Sequence, residues 1–404
     1  MWVNSLLTGR AGLIHAFNKS IILQAVRRLQ PVPRSLLARE TNLTSATVSN
    51  LIQELIQEGF VREAFQGRSN GGRKPMLIEL DDRRHFFLGV EIGVRGSTAV
   101  LVDLKARIRA RETDLTSMDT EADDTIPTIV ALCDRVLQKA GVDRPSVITL
   151  GVTIPGVWDD ARGCIEMIPN LPRWRGLPLA RLLTDATGIG TRVENDANAA
   201  ALAEKWFGAG RELSNIIYIL WDIGIGAGIV LNGHLQNGNG FGEIGHLTVD
   251  MNGAVCGCGN RGCLEAVASL AAIEREMGGR DPESAAGRAV LDRAADFLGT
   301  ALAGLINIFA PETIILGGPA VRKYASLGTA AFEAAGRRAL APQKERVQLK
   351  ESLLGVDICA LGAAALVMED VFQPLRVQMA ESNFVARGVE TGNLRRTVAG
   401  QENL

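Results

Sequence analysis

The sequence predicts an α/β chain: a small winged helix-turn-helix at the N-terminus, followed by a larger two-lobed α/β domain. Three observations carry that prediction. The first 80 residues hold three short helical patterns and then a basic, glycine-rich hairpin. From about Phe86 onward, strands and helices alternate. Charge is also divided unevenly: residues 1–80 carry ten Lys/Arg against five Asp/Glu, whereas the whole chain has a net charge of −2. A basic head on an acidic body is the asymmetry expected when only the head meets phosphate.

A chain of 404 residues is too long for one ordinary core, and 47% hydrophobic with 22% charged residues is a globular composition. No run approaches the roughly 18 apolar residues that span a bilayer. The N-terminus lacks the basic, apolar and small-residue succession of a secretory signal. The expected location is the cytoplasm, with no membrane partner, where thiols stay reduced.

The first helix is expected over Asn18 to Leu29, with Ile22, Ala25, Val26 and Leu29 on one face. Pro31 and Pro33 end it. Ser35 is expected to cap a second helix, Leu36 to Glu40 or Thr41, and Asn42-Leu43 makes the turn. Thr44 or Ser45 then caps a third helix to about Glu58. Val48, Leu51, Ile52 and Leu55 recur at i, i+3, i+4 and i+7 and face the core. Ser45, Ala46, Thr47, Ser49, Asn50 and Gln53 are left facing outward. Small residues let such a face sink into a major groove, and Asn or Gln can bond adenine bidentately. Strands at Phe60–Arg62 and Met76–Leu80 make a wing whose tip carries Arg68, Arg73 and Lys74 towards phosphates or a minor groove.

Behind the head, strands are expected at Phe87–Gly93, Ser97–Asp103, Val147–Val152, Arg192–Glu194, Asn215–Leu220, Ala227–Leu231 and Thr313–Leu316. Helices are expected at Thr125–Ala140, Ala197–Phe207, Cys263–Ala268 and Ala289–Phe309. The expected division is 1–82 for the DNA-binding domain, 83–196 and 197–370 for the two lobes, and 371–404 for a C-terminal helix and tail. The stretch from Phe372 to Phe384 is a candidate for docking against the head or a neighbour.

His246, Cys256, Cys258 and Cys263 are the most specific motif. One imidazole and three thiolates make a closed tetrahedral set, which points to a structural zinc ion rather than a catalytic one. In a reducing compartment this spacing favours a metal over disulfides.

The run Gly242-Glu243-Ile-Gly-His246, followed by Cys256-x-Cys258-Gly-x-x-Gly-Cys263-Leu-Glu265, resembles the signature of the ROK family of repressors and sugar kinases. That resemblance covers Asn18 to Met368. It implies a two-lobed actin- and hexokinase-like (ribonuclease H-like) ATPase fold. The N-terminal head resembles the repressor branch, that of the xylose and N-acetylglucosamine repressors. Val193-Glu194-Asn195-Asp196 looks like the family's sugar segment. By that resemblance Asp196 stands where a kinase has its general base, here vestigial. Asn170, Asn195, Asp196, Glu243, His246 and Glu265 are implied to contact a sugar, with His246 shared between metal and ligand.

Against the kinase pattern, two phosphate loops are altered. Glu91-Ile-Gly93-Val-Arg95 replaces Asp-x-Gly-x-Thr, so a bulky cation stands where a small hydroxyl belongs. Asp222-Ile223-Gly224-Ile-Gly226 replaces Gly-Thr-Gly-x-Gly, placing a carboxylate towards phosphates that it repels. The adenosine-side Ile315-Leu-Gly317-Gly318 is unaltered. The expected function is therefore a sugar-responsive repressor of carbohydrate metabolism, not an enzyme. Its expected partners are operator DNA, a small sugar or sugar-phosphate effector and further copies of itself, as a dimer or tetramer. The alternative is an ATP-dependent sugar kinase carrying an extra DNA-binding module.

Overall fold

The computed structural model describes residues 10–66, 76–93, 96–116, 122–168, 172–237 and 242–372. In the head, α1 (Arg10–Leu29) starts eight residues earlier than its apolar face suggests. β1 (Val32–Pro33) follows, then α2 (Arg34–Thr41) and α3 (Ser45–Gln57). The wing is β2 (Val61–Gln66) and β3 (Met76–Leu80). β1 joins it as a third strand, Val32 opposite Ile78, in the order β1-β3-β2. Pro33 is tolerated there because β1 is an edge strand. Ser35 is not the cap of α2, correcting the sequence expectation. Pro33 takes the N-cap position with no side-chain bond, because pairing with β3 already sets the extended entry into the helix. Asn42 ends α2 with φ 55°, a left-handed conformation that Asn adopts readily.

The first lobe begins with the antiparallel meander β4 (Phe86–Gly93), β5 (Gly96–Asp103) and β6 (Ile108–Asp114). After α4 (Ala122–Ala140) comes β7 (Val147–Ile154), then a small hairpin of β8 (Val157–Asp159) and β9 (Cys164–Met167). α5 (Leu179–Thr187) leads to β10 (Thr191–Asn195). The sheet order is β10-β7-β4-β5-β6.

After α6 (Asp196–Phe207) the plan repeats. β11 (Ile216–Trp221), β12 (Ile225–Leu231) and β13 (His234–Gln236) form a second meander. Next come α7 (Leu264–Ala268), α8 (Leu270–Met277), α9 (Ala285–Phe309) and β14 (Thr313–Gly317). α10 (Pro319–Lys323), α11 (Ser326–Arg338), α12 (Ala341–Lys344) and β15 (Gln348–Glu351) complete the lobe. Its sheet order is β13-β12-β11-β14-β15. Both sheets are thus one meander with two parallel strands added beside its first strand.

The described chain closes with α13 (Ile358–Phe372), nearly all of it buried. The helix reaching residue 372 therefore starts well before the C-terminal segment that the sequence reading began at 371. Its apolar surface all round belongs between the lobes rather than in a tail. α13 lies on β4, β5 and β7, α6 lies on β11 and β12, and the two helices pack against each other. Glycines permit this. A Cβ at Gly89 or Gly151 would strike the α13 backbone, and one at Gly228 would strike the Ala197 carbonyl of α6. Among the described residues no helix is long and apolar enough to cross a membrane.

Gly151→Ala should therefore destabilise the protein by at least about 1–3 kcal/mol, the usual cost of overpacking. The colliding partner is the Ala363 carbonyl, backbone rather than a movable side chain. Urea denaturation checks this; a midpoint equal to wild type would contradict the packing described.

Candidate functional site

In the head, the Thr44 hydroxyl caps α3 by accepting the Thr47 amide at 3.2 Å. Val48, Leu51, Ile52 and Leu55 are buried as their spacing requires. Ser45, Ala46, Asn50 and Gln53 are exposed on the opposite face. Thr47 and Ser49 are half-buried, and the Thr47 hydroxyl is bonded to that of Thr44 at 2.9 Å. Thus four of the six outward residues present free surface, while Thr47 also serves the cap. α1 braces this helix through His15 Nε2 to Glu54 at 2.9 Å and through Lys19 to Glu58. Arg68, Arg73 and Lys74 at the wing tip lie outside the described residues.

The cleft between the lobes opens at the start of α6. Asn195 is its N-cap: its Oδ1 accepts the Ala197 and Asn198 amides, and its Nδ2 donates to the Gly156 carbonyl at 3.1 Å. One amide hydrogen remains for a ligand. Asp196 follows, and burial pushes its pKa up to about 7, opposed by the Ala197 amide and reinforced by Asp222 and Glu243. Glu243 stands at the exposed rim of the cleft. Partial burial and the charge of Glu265 raise its pKa, and His246 opposes them. Glu265 accepts the Ile225 amide at 3.3 Å, so it lies against the glycine-rich turn. The cleft thus gathers Asn195, Asp196, Glu243, His246 and Glu265, which the sequence assigned together; Asn170 lies outside the described residues.

Glu194 was missed. It is buried, and its carboxylate accepts the Asn195 amide at 2.9 Å, Asn198 Nδ2 at 3.0 Å and Asn237 Nδ2 at 2.9 Å. It thereby ties the loop beyond β13 to the end of β10. Its place beside Asn195 was visible in the sequence, but its three donors come together through the fold.

His246 ends a short 3₁₀ turn, Ile244–His246, and Cys263 immediately precedes α7. Together with Cys256 and Cys258 their ligand atoms all lie within 4.8 Å of one another. The Cys256 Sγ to His246 Nδ1 and Cys258 Sγ to Cys263 Sγ distances are both 3.7 Å. Short bridges, Thr248 to Cys263 and Val255 to Arg261, hold the loop in this shape. The cluster can hold a metal ion. His246 turns Nδ1 towards Cys256 Sγ, so Nε2 lies on the other edge of the ring.

At the other end of the cleft carboxylates crowd together. Burial raises the Glu91 pKa to about 8, helped by Asp196, Asp222 and Asp357 and opposed by Arg322. Asp222 turns the chain by donating its amide to the Gly224 carbonyl at 2.9 Å. Burial, more than the neighbouring charges, makes the Glu91 carboxyl hold its proton near neutral pH. Val94 and Arg95 lie outside the described residues.

Comparison with known proteins agrees with this architecture. Residues 87–370 match the profile of the ROK family. The xylose repressor of Bacillus spizizenii (strain ATCC 23059 / NRRL B-14472 / W23) is 30% identical over 371 residues, 87% of this chain and 95% of its own. The glucokinase of Thermotoga maritima is 33% identical over 328 residues, 70% of this chain and 98% of its own. Among solved structures, a ROK family transcriptional regulator, described as a homologue of the Escherichia coli MLC protein, superposes with a TM-score of 0.76. It is 25% identical and covers 89% of this chain and 98% of its own. The fold is thus an N-terminal head ahead of a two-lobed actin- and hexokinase-like body.

Two expectations follow. Cys263→Ser should remove bound metal and lower the thermal midpoint, read by elemental analysis and by melting with and without chelator. Unchanged metal content would exclude Cys263 as a ligand. Glu91→Gln should flatten the pH dependence of stability. The folded pKa of about 8 exceeds the ordinary glutamate value of 4.5. Stability from the protonated carboxyl is therefore complete below 4.5 and lost as pH rises through about 8. Denaturation from pH 4 to 9 should show that decline in wild type and its reduction in the variant; equal slopes would refute it.

Proposed function

The chain belongs to the ROK family, and on that footing we propose that it is a sugar-responsive transcriptional repressor. The observation that carries this reading is the reach of the two kinds of match. The glucokinase accounts for 70% of the chain, about the share spanned by the family profile. The xylose repressor accounts for 87%, more than residues 87–404 can supply, so that match must run into the head.

In this reading Ser45, Ala46, Thr47, Ser49, Asn50 and Gln53 enter the operator's major groove, and Arg68, Arg73 and Lys74 follow the phosphates. Asn170, Asn195, Asp196, Glu243, His246 and Glu265 hold the hydroxyls of a small sugar or sugar phosphate. The metal is zinc. About 2.3 Å for each zinc–sulfur bond gives a tetrahedral edge of about 3.8 Å, matching the 3.7 Å between Cys258 Sγ and Cys263 Sγ. With four protein ligands it is structural, fixing the loop that presents His246 to the cleft. A dimer is the smallest assembly that reads two half-sites one helical turn apart. The cytoplasm is the fitting location.

The competing reading is a sugar kinase, and one feature favours it: an acid with a pKa near 7, as Asp196 has, suits a general base. Against it stand Asp222, where the kinase pattern has a glycine, and Arg95, where it has a small hydroxyl. Electrostatic repulsion of a triphosphate outweighs a well-tuned base, since the base acts only after the nucleotide binds. We therefore assign Asp196 to ligand binding, as a vestigial base.

The test is fluorescence anisotropy on DNA from upstream of the protein's own gene against random DNA of equal length. Preference of at least about tenfold is expected, together with affinity that falls steeply with salt. In parallel, D-xylose, D-glucose and N-acetyl-D-glucosamine are screened by thermal shift with and without ATP. No preference for the upstream DNA would sink the repressor reading. Sugar-dependent ADP release abolished by Asp196→Asn would establish the kinase instead.

A further inference from the structure

α6 is twelve residues long, about 18 Å at about 1.5 Å per residue. Its first turn carries Asn195 as cap and Asp196 in the cleft. Its last turn carries Trp206, 3% exposed, whose Nε1 donates to Glu369 Oε1 of α13 at 2.7 Å. Lys205 reaches the same carboxylate at 3.3 Å. Over the Trp206 ring, 3.3 Å from its centroid, lies the guanidinium of Arg27 from α1 of the head. Phe372, the last residue of α13, offers a second ring 5.5 Å from that guanidinium and 5.6 Å from the Trp206 ring.

The two rings belong to different lobes' helices. α6 rests on the second lobe's sheet and α13 on the first lobe's. Arg27 therefore straddles the seam along which the lobes must slide if they rotate. Burial lowers its pKa to about 10, so it stays a cation at neutral pH and remains attracted to both ring faces.

We propose that Trp206, with Arg27, couples ligand entry to the orientation of the head: a shift of α6 along α13 on ligand entry moves Arg27, hence α1, and hence recognition helix α3. The inference rests on the repressor reading above. The last link is already described, since α1 holds α3 through His15–Glu54 and Lys19–Glu58.

A second contact between head and body supplies the pivot. Asp82, at the base of the wing, meets Arg62 at 3.6 Å, Lys105 at 4.0 Å and Arg107 at 3.4 Å. Lys105 and Arg107 come from the β5–β6 turn of the first lobe. With the wing base held to the first lobe and α1 held across the seam, sliding becomes rotation of the head. In a dimer, such a rotation changes the spacing of two recognition helices, to which operator binding is sensitive.

The experiment measures coupling rather than affinity. Operator affinity is taken with and without the sugar from the panel that stabilises wild type, and sugar affinity with and without operator. The two ratios must agree, because linkage is reciprocal. Wild type should couple by about 5- to 150-fold. Arg27→Met and Trp206→Phe should keep each separate affinity within about threefold while coupling falls below about twofold. Lys105→Met, at the pivot, should retain more coupling than either. Wild-type coupling in both variants would overturn the proposal. Should Trp206→Phe fail to fold, Arg27→Met at its half-buried site decides the matter. A wild type that binds operator but never responds to any sugar would sink the repressor reading, and this inference with it. That result is distinguishable because it arises before any variant is made.

Discussion

The backbone-close packing of α6 against α13 is the constraint on which the rest of the structure depends. A Cβ at Gly362 would collide with the Ala199 carbonyl, and α6 is lined with Ala197, Ala199, Ala200, Ala201 and Ala203, all buried. Side chains this small let two helices occupy the space between two sheets. One continuous core then runs from Ile22 and Leu51 of the head through α6 and α13 to Tyr218 of the second lobe. The ion pairs at the head–body junction are partly exposed, and such pairs contribute about 0–1 kcal/mol each. Apolar burial supplies stability, while the charges set orientation.

The same helix pair gives the cleft its electrostatic character. α6 delivers Asp196 into a site where burial outweighs the amide that would ionise it, and α13 closes the floor beneath Glu91. Carboxyls that keep a proton near neutral pH can both donate and accept, which suits a ligand made of hydroxyls. Such an arrangement suits the sugar of the proposed function. Glu194 keeps this polar floor in order by collecting three donors that would otherwise be unsatisfied in a buried place.

Much of this was legible in one dimension, for reasons of range. The cap and apolar face of α3, the boundaries of β3 and the ligand spacing of the cysteines are written within a few residues of each other. Periodicity and capping act over that distance. Less legible was anything whose partner lies far along the chain. β1 is two residues long and exists because β3 pairs with it some 45 residues later. α13 is apolar all round, so it has no amphipathic face by which to be recognised. Glu194 became a positioning residue through Asn237, 43 positions away.

The sequence by itself determined the chemistry: a basic head, a sulfur-rich loop with one histidine, and Arg95, Asp222 and Ile223 where a kinase keeps a hydroxyl, a glycine and a hydroxyl. Residue types set charge, hydrogen-bonding capacity and metal preference wherever the chain leads. The tertiary structure alone decided how those parts communicate. That Arg27 lies over Trp206, beside an aromatic from the opposite lobe, depends on how two helices cross in space. Crossings are set by the packing of surfaces contributed by the whole chain, which no local pattern records.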